Sequence, residues 1–243
     1  MLSARIKQEL SHLTLLLSDS KSQRNEKVTR FLVSDLDNTI IDSRERFRRS
    51  IAEALGYSSS AGAFPTLDPK SLSRVQRDRF YSIFLSGKYM DTDIPVNGSV
   101  EVLSRLRSVG LGIAYLTGRH HSKDESMKDE TLKTLSRFGF PMPNGGDVVL
   151  YMKPRKSSPT DEFKRAVLGH LSRKLYIAVG LDDEINDLRV MVDLIPMVIG
   201  VALSSEVAQH ISSKFKIPIA RDWLEVESIL FKSGIIPRGT ETR

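Results

Sequence analysis

Short apolar runs of β type recur along the chain, and segments of helical spacing separate them. Phe31-Leu32-Val33 is the first, and Leu111–Leu116, Val148–Met152, Leu175–Val179 and Met197–Val201 follow. Between them, Val100, Leu103 and Leu106 share one helical face that Gly110 ends. Leu132, Leu135 and Phe138 repeat the pattern before Gly139, and Phe163, Val167 and Leu171 form a third such face. Continuous apolar strands alternating with amphipathic helices predict an α/β parallel sheet covered by helices on both faces. Sheets of this kind bind ligands beyond the carboxyl ends of their strands.

One stretch breaks the alternation. Between Ile41 and about Ile94 the spacing predicts two helices and no strand. The first carries Phe47, Ile51 and Leu55 and stops at Gly56, with Asp42 and Glu45 as a capping-box-like start. The second is expected to begin at Asp68-Pro69, to carry Leu72, Val75 and Ile83, and to stop at Gly87. The loop Ser58–Ala63, rich in Ser, Gly and Ala, joins them. This predicts a helical cap over residues 43–94, inserted into a core made of residues 28–42 and 95–243. Ile6, Leu10, Leu13 and the run Leu15–Leu17 predict an amphipathic helix within an extension spanning residues 1–27.

The polar residues of interest follow the apolar runs. Asp35 and Asp37 stand two apart after the first, where both carboxylates can point into one site, although such pairs also occur in turns. Thr117, Gly118 and Arg119 follow the second, offering a hydroxyl, a backbone amide and a guanidinium to an anion. Asp182, Asp183 and Asp187 follow the fourth without an intervening Lys or Arg. A hard cation such as magnesium relieves the repulsion in a cluster like this, though an acidic helix start is an alternative reading.

Composition narrows the chemistry. The 243 residues contain no cysteine, which excludes disulfides, zinc–thiolate sites and cysteine nucleophiles. No apolar run approaches the roughly 20 residues needed to span a bilayer, and the N-terminus lacks the pattern of a signal peptide, so a cytoplasmic protein without membrane partners is expected. The net charge of +6 suits nucleic acid, a membrane surface or small anionic substrates, and equally suits simple solubility.

Taken together in this order, the motifs resemble those of the haloacid dehalogenase-like superfamily. Asp35-Leu36-Asp37-Asn38-Thr39 matches its Asp-x-Asp-x-Thr motif, Thr117 its strand-ending Ser or Thr, and Asp183 to Asp187 its Asp-x-x-x-Asp motif, with Asp182 just before. The resemblance covers roughly residues 28 to 230 and implies a Rossmann-like core with a helical cap. It also implies an aspartyl-phosphate mechanism. Asp35 is the nucleophile and Asp37 the general acid and base. Thr117 and a lysine hold the phosphoryl oxygens. A Mg2+ ion is bound by Asp35, the Asp37 carbonyl and Asp183, with Asp182 and Asp187 in support.

Two lysines compete for the remaining motif. Lys153 follows a strand, 30 residues before Asp183, and Lys164 lies in a helix start, 19 before it. The run Thr117-Gly118-Arg119 and the segment from Asp161 to Lys164 also resemble the phosphatase domain of polynucleotide kinase-phosphatases. Lys164 is therefore preferred, and Lys153 is expected to be a solvated charge or a substrate contact alongside Gly118 and Arg119. The arginines of the cap, Arg44, Arg46, Arg48, Arg49, Arg74, Arg77 and Arg79, are expected mostly on solvated faces, and His120 and His121 on the surface, with the mouth of the site as the alternative. The expected substrate is a small phosphorylated metabolite. The alternatives are the 3′-phosphate of a nucleic acid, a phosphomutase reaction and a non-catalytic binding role.

Overall fold

The computed structural model describes residues 30–57, 69–122 and 127–237. The expected N-terminal helix, the Ser58–Ala63 loop and Asp68 lie outside the described residues. Six parallel strands form the central sheet: β1 (Arg30–Ser34), β4 (Leu111–His120), β5 (Val148–Lys153), β6 (Tyr176–Asp182), β7 (Val198–Val201) and β8 (Ile219–Ala220). Their spatial order is β5-β4-β1-β6-β7-β8. The chain leaves β1 toward one side and later returns to fill the other, so β1 borders the switch point at which such sheets bind ligands.

Side chains alternate across the sheet and divide the core in two. Leu32, Ile113, Tyr115, Val179 and Ile199 pack against α3 (Ser99–Ser108), α4 (Lys128–Phe138) and α8 (Trp223–Lys232) on one face. Phe31, Val33, Ala114, Leu116 and Val198 pack against α5 (Thr160–Leu171), α6 (Ile185–Val192) and α7 (Ser205–Ser212) on the other. Every apolar run read as a strand is one, and the architecture is the expected two-faced α/β sandwich. Strand β8, only two residues long, carries no periodicity of its own and passes unseen in the sequence. Among the described residues, no helix is long and apolar enough to cross a membrane.

The segment after β1 leaves the sheet through a neck. Two-residue strands β2 (Ile41–Asp42) and β3 (Ile94–Pro95) pair antiparallel, and between them lie α1 (Arg44–Ala54), α2 (Arg74–Phe84) and two short 3-10 turns. Phe47, Ile51, Leu72, Phe80 and Phe84 pack together as a separate small core. Phe80 meets Phe47 edge-on, with ring centroids 4.9 Å apart.

Three details of this segment depart from the sequence reading. Helix α2 starts at Arg74 rather than at Pro69, because Ser73 and Gln76 form a reciprocal capping box there. Pro69–Ser71 forms only a 3-10 turn, and Val75 lies 78% exposed while Phe80 takes the buried position. The expected Asp42–Glu45 box at the start of α1 does not form. The Asp42 carboxylate accepts from the backbone N–H and guanidinium of Arg44, and Glu45 turns back to Arg48 and Arg49.

Candidate active site

Strand register brings the dispersed motifs together. Ser34 pairs with Tyr115 of β4 and Leu181 of β6, so the next residue, Asp35, emerges beside Asp182 and level with Leu116, one residue before Thr117. The Asp35 N–H donates to the Leu181 carbonyl at 3.0 Å. A tight turn follows, in which the Leu36 carbonyl accepts from the N–H groups of Thr39, Ile40 and Ile41. Asn38 adopts a left-handed φ of 56°, a conformation that Asn tolerates better than most residues. Its side-chain oxygen accepts from the Ser43 N–H and hydroxyl, and the Trp223 indole N–H donates to the Thr39 carbonyl. This turn fixes Asp35 and Asp37 relative to each other.

Asp35 sits in a carboxylate centre. Its side chain, Asp182 and Asp183 each offer an oxygen within 4.8 Å of the others. Lys164, from the first turns of α5, is buried among them. Its ammonium contacts Asp35 Oδ1 at 2.8 Å, Asp182 Oδ2 at 2.7 Å and Asp187 Oδ2 at 2.8 Å. Thr39 donates to Asp183 Oδ1 at 3.4 Å. Gly118 makes the approach of α5 possible, since a Cβ there would stand 3.2 Å from Thr160, the first residue of that helix.

Electrostatics shows what this centre lacks. Burial raises the pKa of Asp35 to about 6 despite the opposing charge of Lys164, with Asp37 and Asp187 adding to the rise. Burial also pushes Asp182 and Asp183 well above the ordinary carboxylate range, and the neighbouring carboxylates reinforce it. Lys164 is held well above its usual value, because Asp182, Asp35 and Asp187 outweigh its desolvation. Four carboxylates share one ammonium, and their free atoms are all oxygen. That donor set fits a hard divalent cation such as magnesium, with Asp35, Asp182 and Asp183 as the side chains placed to hold it.

Asp37 lies in a different setting. Arg119 grips it with two bonds, Nε to Oδ2 at 3.0 Å and Nη2 to Oδ1 at 2.7 Å. Arg46 of α1 also donates to its Oδ1. Burial alone would raise this carboxyl, but the two guanidinium groups overcome that and hold it well below the ordinary range. Both arginines continue to Asp93, the last residue before β3. Arg119 Nη2 donates to Asp93 Oδ2 at 3.1 Å, while Arg46 Nε lies 3.1 Å from Asp93 Oδ1 as an ion pair without hydrogen-bond geometry. The side chain of Asp37 thus belongs to this ring, and only its main-chain carbonyl remains a candidate for the cation.

The structure separates the two lysines. Lys164 reaches Asp35, whereas the Lys153 ammonium donates to the carbonyls of Lys156 and Ser158. Lys153 is not a solvated charge, being 5% exposed, and burial lowers its pKa. It is instead the anchor of the β5–α5 loop. Thr117 is buried, and its hydroxyl accepts from the Arg119 N–H at 3.1 Å, so the Thr-Gly-Arg run folds back on itself and aims Arg119 at Asp37. His120 does not line a mouth. It is buried, with its Nε2 2.9 Å from the Leu85 carbonyl of the cap, while His121 is exposed.

Two residues of the ring escape a reading of the sequence alone. Arg46 departs from the expectation of solvated cap arginines because its side chain is fully buried. Arg46, Ser50 and Ala54 form one buried stripe at four-residue spacing, with Ala54 packed in the small core beside Leu72 and Phe80. A small-residue stripe led by one arginine was the available signal. Asp93 precedes a strand of two residues and carries no comparable signal.

No protein-family model matches the sequence, and no curated protein matches it significantly. Solved structures do resemble the fold. A haloacid dehalogenase-like family hydrolase from Streptococcus pneumoniae shares 16% identity over 83% of this chain and 98% of its own, with a TM-score of 0.57. A candidate phosphatase from Clostridium difficile shares 15% identity over 85% of this chain and 100% of its own, with a TM-score of 0.58. Protein Tyrosine Kinase A from Mycobacterium tuberculosis shares 17% identity over 85% of this chain and 100% of its own, with a TM-score of 0.56. The chain therefore carries the haloacid dehalogenase-like fold, with its Asp-x-Asp turn at the switch point of the sheet.

Proposed function

We propose that this protein is a magnesium-dependent phosphohydrolase that cleaves the monoester of a small phosphorylated metabolite through an aspartyl-phosphate on Asp35. The observation that carries the reading is the placement of one carboxylate among cation-binding oxygens and a buried lysine, next to a second carboxylate held by guanidinium groups. Fold alone does not fix the reaction, so the roles rest on this site. Asp35, Asp182 and Asp183, with the Asp37 carbonyl, would hold Mg2+, which neutralises charge on the transferring phosphoryl group.

The chain's own residues account for the remaining chemistry. Lys164 fixes Asp35 Oδ1 and so directs the second oxygen for in-line attack on phosphorus. As that P–O bond forms, the bond to the leaving oxygen breaks and Asp37 supplies its proton. Asp37 then takes a proton from the water that attacks the aspartyl-phosphate, releasing inorganic phosphate and restoring Asp35. In the resting arrangement Asp37 is ionised, which suits the base step. An arriving phosphate dianion adds negative charge beside Asp37, which raises it toward the protonated form that the acid step needs. Lys164 and Thr117 face the phosphoryl oxygens, and Arg119 and Gly118 line the same strand end.

The first experiment is phosphate release from an aryl phosphate with and without Mg2+, comparing wild type with Asp35→Asn. Release that requires the metal and disappears in the variant supports the mechanism. Equal, metal-independent rates remove Asp35 from the chemistry. A screen of metabolite phosphates against oligonucleotides with 3′-phosphates then separates the two substrate classes. A steep fall of oligonucleotide affinity with salt would favour the nucleic acid.

A further inference from the structure

We propose that Asp93 is a positioning residue, bridging Arg46 of the cap and Arg119 of the core so that both guanidinium groups hold Asp37 in its working orientation only while the cap is seated. The proposal rests on the reading of Asp37 as the acid and base of a phosphoryl transfer. Its basis is a closed ring of four side chains. Each arginine touches both aspartates, and each aspartate touches both arginines. The charges balance, which matters where three of the four side chains are at most 1% exposed.

Exposure divides the ring by role. Asp37 keeps 20% of its side-chain surface, whereas Asp93 keeps none. A substrate can therefore reach Asp37, while Asp93 acts only through the arginines behind it. The members also come from different parts of the chain. Arg46 stands on the first cap helix, Asp93 on the strand returning from the cap, and Asp37 and Arg119 on the core. Arg119 is steadied further by Thr131, whose hydroxyl accepts from Nη1 at 3.3 Å. Arg137 of α4 donates to the carbonyls of Met90 and Asp93, at 3.3 and 3.1 Å, and seats the return segment on the core. Among the described residues, Asp93 is the carboxylate besides Asp37 that contacts both guanidinium groups, and so it links the cap to the groups that hold Asp37.

A positioning role differs from a merely structural tie in which substrates suffer. Proton delivery by Asp37 matters for an alkyl phosphate, whose leaving alkoxide is strongly basic, and little for 4-nitrophenyl phosphate, whose leaving group departs as a stable anion. Asp93→Asn is expected to lower kcat/KM, which reports the leaving-group step alone, by about tenfold or more for glycerol phosphate and by less than about threefold for 4-nitrophenyl phosphate. Lys88→Gln, which breaks a cap ion pair with Glu53 away from the ring, is expected to leave the ratio of the two rates unchanged. Asp93→Glu keeps the charge but displaces it by one methylene, and is expected to show the same selective loss if Asp93→Asn does not fold. Equal losses on both esters overturn the proposal.

Hydrogen exchange gives a readout that needs no turnover. Amides of Thr39, Ile40 and Ile41, which close the turn bearing Asp37, are expected to exchange faster in Asp93→Asn than in wild type, and unchanged exchange also overturns the proposal. Wild type inactive on every ester, with the exchange response present, sinks the phosphatase reading while retaining Asp93 as the residue that positions Asp37.

Discussion

Two charged clusters meet at the end of β1, and they are built on opposite principles. The cluster around Asp35 sets four carboxylates against one lysine and is left with surplus negative charge. The ring around Asp37 sets two carboxylates against two arginines and is neutral. In the first, which an added cation would balance, burial and the neighbouring carboxylates raise Asp35, Asp182 and Asp183. In the second, balanced within the chain, two guanidinium groups lower the partly exposed Asp37, while burial raises Asp93. Two aspartates separated by one residue thus receive opposite electrostatic treatment. That is the condition under which a pair of like groups takes different chemical roles.

The sharpest way to break this comparison is to remove one aspartate at a time. Asp35→Asn is expected to reduce phosphate release to background, because the covalent step has no other nucleophile. Asp37→Asn is expected to lower kcat for alkyl phosphates by about 10²–10⁴-fold, the usual size of a general acid–base contribution, measured with steady-state kinetics.

Loss of a cation from each cluster comes next. Lys164→Met and Arg119→Met each strand buried carboxylates, at a cost of about 3–5 kcal/mol of stability in denaturant unfolding. Mg2+ is expected to stabilise Arg119→Met by about as much as wild type, because its carboxylate centre is intact, and Lys164→Met by more, because the ion there also relieves carboxylates left without their lysine. Equal stabilisation of the two variants would erase the distinction drawn between them. In wild type, Mg2+ at about a hundred times its dissociation constant is expected to add about 2.7 kcal/mol of stability.

The smallest expected effect is on pH dependence. Asp35 and Asp93 are both raised to about 6, chiefly by burial. A carboxyl with a raised pKa binds its proton more tightly in the folded state. Its stabilising contribution is full below the unfolded value of about 4 and is lost as pH rises through about 6. Metal-free protein should therefore lose stability from these two groups across that window, and the rise in Tm on adding Mg2+ should be larger at pH 7 than at pH 4. Thermal melts at both pH values, with and without the ion, check this.

Five strands of the sheet, the helices α3, α4 and α5 and the chemical character of the site were legible in the order of the chain, whereas β8 and the short helices α6, α7 and α8 were not. Apolar runs long enough for buried strands, each ending in Asp, Thr-Gly-Arg or Asp-Asp, leave little freedom, because a parallel sheet puts all those ends on one edge. Cap helix boundaries were less legible. The start of α2 depends on a capping box at Ser73 that competes with the equally plausible Asp68-Pro69 signal, and local propensity does not rank the two.

Sequence by itself put Asp35, Asp37, Thr117, Asp182 and Asp183 after strands of one parallel sheet, whose ends lie on one edge, and the family resemblance supplied their expected roles. Only the tertiary structure put Lys164, and not Lys153, against Asp35. That choice depends on how closely α5 approaches Gly118 and which ammonium is left to the loop carbonyls. Only the tertiary structure, too, brought Arg46 and Asp93 to Asp37. A buried ion pair between the cap and the core is set by three-dimensional approach, and charged residues on a helix look alike in sequence whether they face water or a carboxylate.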